Sequence, residues 1–156
     1  MNKKEFTQSL LAGLFSAITI GALTLLTYKT ELGVFLIASF GSSMVLLYGY
    51  PENPFAQPKN IFFGHLISIL VGIIFNETIG LSFYALGLSV GIAVTLMIYF
   101  KVMHPPAASN PLVALSMDLS FDYVLFPVIV GTIIIIIFSI IINRYILKRN
   151  YPNRWF

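Results

Sequence analysis

Met103-His104-Pro105-Pro106-Ala107-Ala108-Ser109-Asn110-Pro111 interrupts an apolar run in the last third of the chain. Consecutive prolines cannot continue a helix from His104, because each removes a backbone donor and restricts the residue before it. Asn110 is a preferred N-cap and Pro111 a preferred first helical residue, so a helix is predicted to restart there. The restarted piece, about 111–117, is a half-helix of roughly 10 Å. The sequence therefore predicts a broken helix at this point.

The runs on either side of the break are long and apolar. Hydrophobic residues make up 58% of the 156 residues and charged residues only 10%, a balance that a water-facing globular surface would not tolerate. About 20 apolar residues of helix cross the hydrocarbon core of a bilayer. We therefore predict an all-α, polytopic transmembrane helical bundle that forms a single domain, 1–156. Its segments are 9–28, 32–50, 61–76, 78–100, 102–121 and 123–143, followed by a basic tail, 144–156.

The first run follows two lysines but is too long for a signal peptide and has no convincing cleavage site, so it is expected to be retained. The distribution of basic residues then indicates the topology, because cytoplasmic loops collect Lys and Arg. Six crossings with the N-terminus inside leave only Lys29 outside. Both termini are therefore expected to be cytoplasmic, in the cell membrane. The alternative is four or five spans plus a re-entrant half-helix.

A faint internal repeat relates the second and fifth segments. Phe40-Gly41-Ser42-Ser43 in the second segment is matched by Ala107-Ala108-Ser109-Asn110 in the fifth, and each places small and polar residues before an apolar run. Three segments per repeat would make the copies inverted in the membrane, a 3+3 plan in which the second and fifth segments are discontinuous. The alternative is that these small residues are helix-packing contacts.

Substrate is expected at the starts of the two half-helices. Unpaired N–H groups and the positive ends of helix dipoles suit a small anion, and Ser42, Ser43, Ser109 and Asn110 would complete the donors. His104, at the break, is a functional candidate because ionisable residues are rare at membrane depth, whereas His65 is weaker. The alternatives are that the polar residues only cap their own helices and that the histidines bond backbone carbonyls or a neighbouring helix. Asn60 is expected to cap the third helix.

Several function classes find no support in the sequence. The chain has no cysteine, and its carboxylates fall near segment ends, so two histidines make a poor metal site and no metal or other cofactor is predicted. No catalytic constellation appears, so the protein is not expected to be an enzyme. The basic residues cluster at the termini, which favours membrane orientation over nucleic-acid binding.

Four motifs in order resemble the landmarks of the HPP family of integral membrane proteins, named for its His-Pro-Pro motif. The resemblance covers about residues 10–145 and rests on Phe40-Gly41-Ser42-Ser43 with Val45-Leu46-Leu47, Pro54-Phe55-Ala56-Gln57-Pro58-Lys59-Asn60, Gly64-His65 and His104-Pro105-Pro106-Ala107. That family is described with about four spanning helices, and its plant plastid and cyanobacterial members are associated with nitrite transport.

The resemblance implies a small-anion transporter whose signature is His104, Pro105 and Pro106, accompanied by residues 41–43 and 57–60. The family usually continues with Ala-Gly-Ala-Thr-Ala, whereas this chain has Ala107-Ala108-Ser109-Asn110-Pro111. A glycine is lost and a proline gained at the expected ligand loop, which bears on substrate identity.

Transport or facilitated passage of nitrite, or of nitrate, is the leading hypothesis. An aquaporin-like channel for a small neutral solute is the alternative, since Asn110-Pro111 and Asn53-Pro54 resemble the Asn-Pro-Ala loops of that class. A non-transporting membrane scaffold is the third. The chain is small for enclosing a pathway alone, so a homodimer or another small homo-oligomer in the lipid bilayer is expected.

Overall fold

A computed structural model describes residues 2–154, and every regular element within that range is a helix. Three of the described helices are long and apolar enough to cross a membrane: Lys3–Lys29, Pro58–Thr78 and Val124–Ile146. Phe83–Tyr99 is a shorter apolar helix. The prediction of an all-helical membrane bundle is confirmed.

The helices follow one another with short connections. They are α1 (Lys3–Lys29), α2 (Ala38–Met44) extended by a π-helical turn (Val45–Gly49), a 3₁₀ turn (Pro54–Ala56), α3 (Pro58–Thr78), α4 (Phe83–Tyr99), a 3₁₀ turn (Pro105–Ser109) leading into α5 (Asn110–Ser116), and α6 (Val130–Ile140) between π-helical turns (Val124–Ile129 and Ile141–Ile146).

The second and fifth segments are short helices, as the prediction of discontinuous segments requires. Residues 38–49 and 105–116 are each helical, and extended chain precedes both at 34–37 and 102–104. Twelve helical residues reach about 18 Å, well short of the roughly 30 Å hydrocarbon core. Neither helix is long enough to cross a bilayer by itself. The non-helical backbone that precedes each one must therefore be sheltered from lipid by the rest of the protein.

The predicted caps of two helices are wrong. α5 begins at Asn110 itself, because the chain already turns through Pro105–Ser109 and the Asn110 N–H bonds the carbonyl of Ala107. α3 begins at Pro58, after Gln57, and the Asn60 side chain donates instead to the carbonyl of Met103 at 2.8 Å. Both asparagine side chains are therefore used for contacts between distant segments.

α3 is the central helix, and its glycines allow other segments to approach closely. A Cβ at Gly72 would lie 2.7 Å from Cα of Pro111 and 2.8 Å from Cβ of Ala114, so α5 packs directly on this position. A Cβ at Gly64 would lie 2.7 Å from Cβ of His104. Only glycine permits these distances, because real Cβ atoms do not approach other carbons so closely.

Two glycines in equivalent positions of the predicted repeat make matching contacts. A Cβ at Gly64 would lie 3.1 Å from the carbonyl oxygen of Val102, and one at Gly131 would lie 2.8 Å from that of Phe35. The offset that relates Phe40 to Ala107 also relates Gly64 to Gly131 and Phe35 to Val102. Each half of the chain therefore supplies a glycine against the extended segment of the other half.

The C-terminal tail returns to the second segment and to the loop before α3. Arg149 Nη1 donates to the carbonyl of Tyr48 at 2.8 Å, and the hydroxyl of Tyr151 donates to the carbonyl of Ala56 at 2.8 Å. Tyr151 is 1% exposed. The tail predicted at 144–156 is thus held on the protein at Arg149 and Tyr151, whereas residues 155 and 156 lie outside the described residues.

Candidate functional site: a buried polar cluster

Five polar side chains meet where the two short helices reach α3, and we call them the polar cluster: Ser39, Ser43, His65, His104 and Asn110. Ser39 is 2% exposed and the other four are fully buried. α2 supplies the two serines, α3 supplies His65, the break supplies His104, and α5 supplies Asn110. Residues from three of the six predicted segments therefore build one site.

The proton positions in the cluster are assigned starting from the backbone carbonyl of Phe55. His104 Nδ1 lies 2.7 Å from the carbonyl oxygen of Phe55, which only accepts, so Nδ1 carries a proton. In a neutral imidazole the other nitrogen is then an acceptor. Ser43 Oγ lies 2.9 Å from His104 Nε2 and 3.1 Å from the carbonyl oxygen of Ser39, and we assign its proton to the shorter contact, with His104.

The same reasoning passes through Ser43 to His65. Once the Ser43 hydroxyl proton is given to His104, its oxygen is an acceptor for His65 Nε2 at 3.2 Å. His65 Nε2 therefore carries the proton and Nδ1 accepts, which matches Asn110 Nδ2 at 3.1 Å. Asn110 Nδ2 also donates to the backbone carbonyl of His65 at 3.3 Å.

The chain of hydrogen bonds begins at Ser39. Its hydroxyl donates to Asn110 Oδ1 at 2.7 Å, so the bonds run in one direction from Ser39 through Asn110, His65 and Ser43 to His104. In the part of the chain that the structure describes, no buried side-chain nitrogen or oxygen lacks a partner. The cluster is therefore complete with both histidines neutral.

The cluster lies near the middle of α3, the most buried of the three long helices in the described part of the chain. His65 is the eighth of the 21 residues of α3, so it is only about 4–5 Å along the axis from the central residue, Ser68. Ser68 Oγ donates to the carbonyl of Ala107 at 2.5 Å and ties the break to the same helix. Phe40 packs edge-on against the His65 ring, with centroids 5.1 Å apart.

The structure brings together four of the nine predicted site residues: Ser43, His65, His104 and Asn110. Gly41, Ser42 and Pro105 are exposed, and Pro106 is half-buried. Ser109, also half-buried, donates to the carbonyl of Pro106 at 2.9 Å. These other five residues make no side-chain bond to the cluster.

Sequence reasoning missed Ser39. The signal for it was its spacing, because Ser39 precedes Ser43 by one helical turn and therefore lies on the same face of a helix. Ser42 lies about 100° away on that helix and is exposed.

The groups of the cluster are chemically suited to an anion. They are hydroxyl, amide and imidazole, and none of them is a carboxylate. His65 and His104 have ring centroids 5.0 Å apart, yet the described residues hold no group of three or more His, Cys, Asp or Glu side chains arranged for a metal. Asn53, the other member of the Asn-Pro pair, caps the 3₁₀ turn at Pro54–Ala56 by accepting from the N–H of Phe55.

Comparisons with known proteins agree on a membrane family. The family described as "HPP, transmembrane region" matches residues 1–152. A transmembrane protein of Dictyostelium discoideum is 33% identical over 153 residues, which cover 91% of this chain and 49% of that relative. A second transmembrane protein of the same organism is 30% identical over 128 residues, covering 77% of this chain and 45% of that relative.

The chain thus spans about half the length of these curated relatives. No solved structure matches it.

Proposed function

The chain belongs to the HPP transmembrane family, and from this premise we propose that it is a non-enzymatic transporter or facilitator of a small inorganic anion, with nitrite first and nitrate second. The observation that carries the proposal is the polar cluster, a carboxylate-free set of donors buried at the meeting point of two half-helices. The protein would act in the cell membrane with both termini in the cytoplasm.

The chemistry of the cluster supports an anion over a cation. Ser39, Ser43, Asn110 and the two imidazoles offer O–H and N–H donors, whereas the carboxylates that commonly bind divalent cations are absent from the cluster. A hydrogen bond to an ionised group is worth about 1.5–3 kcal/mol, more than a neutral bond. A bound anion would therefore accept stronger hydrogen bonds from these donors than their present acceptors within the cluster do. After the anion leaves, the bonds within the cluster would form again.

An inverted repeat would explain how the site is reached from two sides. The matching contacts of Gly64 and Gly131, at equivalent positions of the two halves, support two copies that exchange extended segments. In proteins of this plan one repeat rocks against the other around a fixed midplane site. We propose that the two short helices, joined at Ser39 and Asn110, separate and rejoin during transport.

Flux in proteoliposomes tests the proposed function. Vesicles containing the purified chain should take up nitrite faster than empty vesicles. Asn110→Asp keeps the side-chain shape but replaces donors with negative charge, and it should reduce flux to near background. Asn53→Asp, which retains a capping oxygen in a loop, should transport normally.

Folding of each variant is checked by its elution volume and circular dichroism. If Asn110→Asp does not fold, Ser43→Ala provides the second test. Absence of protein-dependent flux of any small anion would contradict the proposal. Rapid water or glycerol permeation in place of anion flux would favour the aquaporin-like alternative.

We also propose a homodimer. Gly87 and Gly91 form a Gly-x-x-x-Gly pair on α4, and a Cβ at either position would meet nothing within 4 Å. Both are exposed, and such pairs allow close helix contact in membranes. Detergent-corrected mass measurement should give a dimer, and Gly91→Ile should give a monomer. A monomeric wild-type chain would contradict this proposal.

A further inference from the structure

A cavity of about 310 Å³ lies beside the polar cluster, against the loop before α3. We call it the basic vestibule, because three of its lining residues are Lys59, Lys101 and Arg154. Among the described residues, no Asp or Glu lines it. One water occupies about 30 Å³ of liquid, so the volume holds a small ion together with several waters.

Residues that line the vestibule are directly connected to His104. Phe55 and Met103 line the cavity, and the carbonyl of Phe55 accepts from His104 Nδ1 at 2.7 Å. Met103 immediately precedes His104, and its carbonyl accepts from Asn60, another lining residue. The vestibule is therefore one residue layer away from the polar cluster.

The C-terminal tail places the third cationic residue, Arg154, at the vestibule. Gln57, which is 3% exposed, accepts at Oε1 from the backbone N–H groups of Asn153 at 2.9 Å and Arg154 at 3.3 Å. Its Nε2 donates to the carbonyls of Pro51 and Asn53, each at 3.0 Å. A buried amide with every group used fixes the tail, and with it Arg154, against the loop.

The position of Lys101 is set by the end of α4. Its N–H bonds the carbonyl of Ile98, and the N–H of Val102 bonds that of Met97, which is the pattern that usually places glycine in the left-handed conformation. Lys101 occupies that position with φ of 56°. A lysine there carries its charge to the vestibule at the cost of a backbone conformation that side chains disfavour.

We propose that the basic vestibule binds a small oxyanion and holds it beside the polar cluster before transport. Three cations around a partly enclosed space, without a carboxylate in the described lining, favour a negative ligand and raise its local concentration. The role in transport rests on the proposed function, whereas the binding itself does not. The oxyanion is either a free ion such as nitrite or the phosphate of an anionic lipid headgroup.

The test measures the unfolding temperature of the full chain in nanodiscs at constant ionic strength. In phosphatidylcholine nanodiscs, sodium nitrite should raise the unfolding temperature in a saturable way compared with sodium gluconate, because a ligand of the native state stabilises it. Lys101→Gln and Arg154→Gln should each weaken the apparent affinity by roughly threefold to tenfold, as expected for exposed charges.

Two further variants serve as controls. Lys148 is exposed and has the same φ of 56°, but it does not line the vestibule, so Lys148→Gln should bind like the wild type. Lys101→Arg retains the charge and should retain affinity.

A second arm replaces nitrite with phosphatidylglycerol in the nanodisc. Stabilisation by nitrite that depends on Lys101 and Arg154 assigns the site to a free anion, and stabilisation only by phosphatidylglycerol with the same dependence assigns it to a headgroup. Stabilisation by neither, or an equal loss in Lys148→Gln, would overturn the proposal. Flux measured on the same variants separates the two ideas: binding without flux contradicts transport alone, and flux without binding contradicts the vestibule alone.

Discussion

The hydroxyl of Ser39 donates to Oδ1 of Asn110 over 2.7 Å, although the two residues are 71 positions apart. Ser39 lies in the first turn of α2 and Asn110 is the first residue of α5. The bond therefore joins the starts of the two half-helices. It also begins the directed chain of hydrogen bonds that ends at His104.

Ser39→Ala should destabilise the protein, because it leaves the buried Oδ1 of Asn110 without its donor. The expected loss in free energy of unfolding is about 1–3 kcal/mol. Ser42→Ala, on the exposed face of the same helix, should change it by less than about 0.5 kcal/mol. Denaturation in mixed micelles measures both, and equal effects would contradict the assigned role of Ser39.

Gly64→Ala should displace His104. Its Cβ would lie 2.7 Å from Cβ of His104, so the expected cost is about 1–3 kcal/mol of overpacking together with reduced flux. Gly21→Ala on α1 is the matched control, because a Cβ there meets nothing within 4 Å. The control should be neutral or stabilising by up to about 1 kcal/mol, as for glycine in a helix. Normal flux in Gly64→Ala would contradict the close approach.

His104 makes two bonds that substitution can separate. His104→Asn retains a donor near the position of Nδ1 for the carbonyl of Phe55 but loses the bond to Ser43. We expect it to fold and to lose anion flux, whereas His104→Ala should lose flux and about 1–3 kcal/mol of stability, because the carbonyl of Phe55 and the buried hydroxyl of Ser43 both lose a partner. Elution profile, unfolding and flux are measured together. Full flux in His104→Asn would exclude the Ser43 bond from the transport step.

The sequence predicted the break, the discontinuous segments and four members of the polar cluster. Prolines and isolated polar residues in apolar runs can be recognised from their neighbours in the chain alone. It did not predict the partners. Asn60 and Asn110 are both of the residue type that commonly caps helices. Their side chains instead form hydrogen bonds to distant segments, at Met103 and His65.

The close contacts of Gly64 and Gly131 involve segments that are distant in the sequence, at Val102 and Phe35. No local pattern identifies such partners, because each glycine only permits an approach and does not specify what approaches. The constant offset of the predicted internal repeat was the one sequence feature that indicated their relation.

The C-terminal tail should be held against the loop before α3 by the neutral hydroxyl of Tyr151. This hydroxyl donates to the carbonyl of Ala56, accepts from Ser139 at 3.2 Å and is buried. Burial raises the pKa of Tyr151 above its ordinary value of 10.0. The unfolded tyrosine therefore ionises first, so its stabilising contribution is complete below about pH 10 and is lost as the pH rises above that value.

Tyr151→Phe should accordingly lower the free energy of unfolding by about 1–3 kcal/mol at neutral pH, since it leaves the carbonyl of Ala56 unpaired. The difference from the wild type should shrink above about pH 10, where the wild type alone has the hydroxyl to ionise on unfolding. Tyr145→Phe is the control, because Tyr145 is 61% exposed and should show neither effect. A difference between Tyr151→Phe and the wild type that stays constant from neutral to alkaline pH would show that the hydroxyl titrates equally in the folded and unfolded chains. That result would contradict a tail whose docking depends on a buried tyrosine.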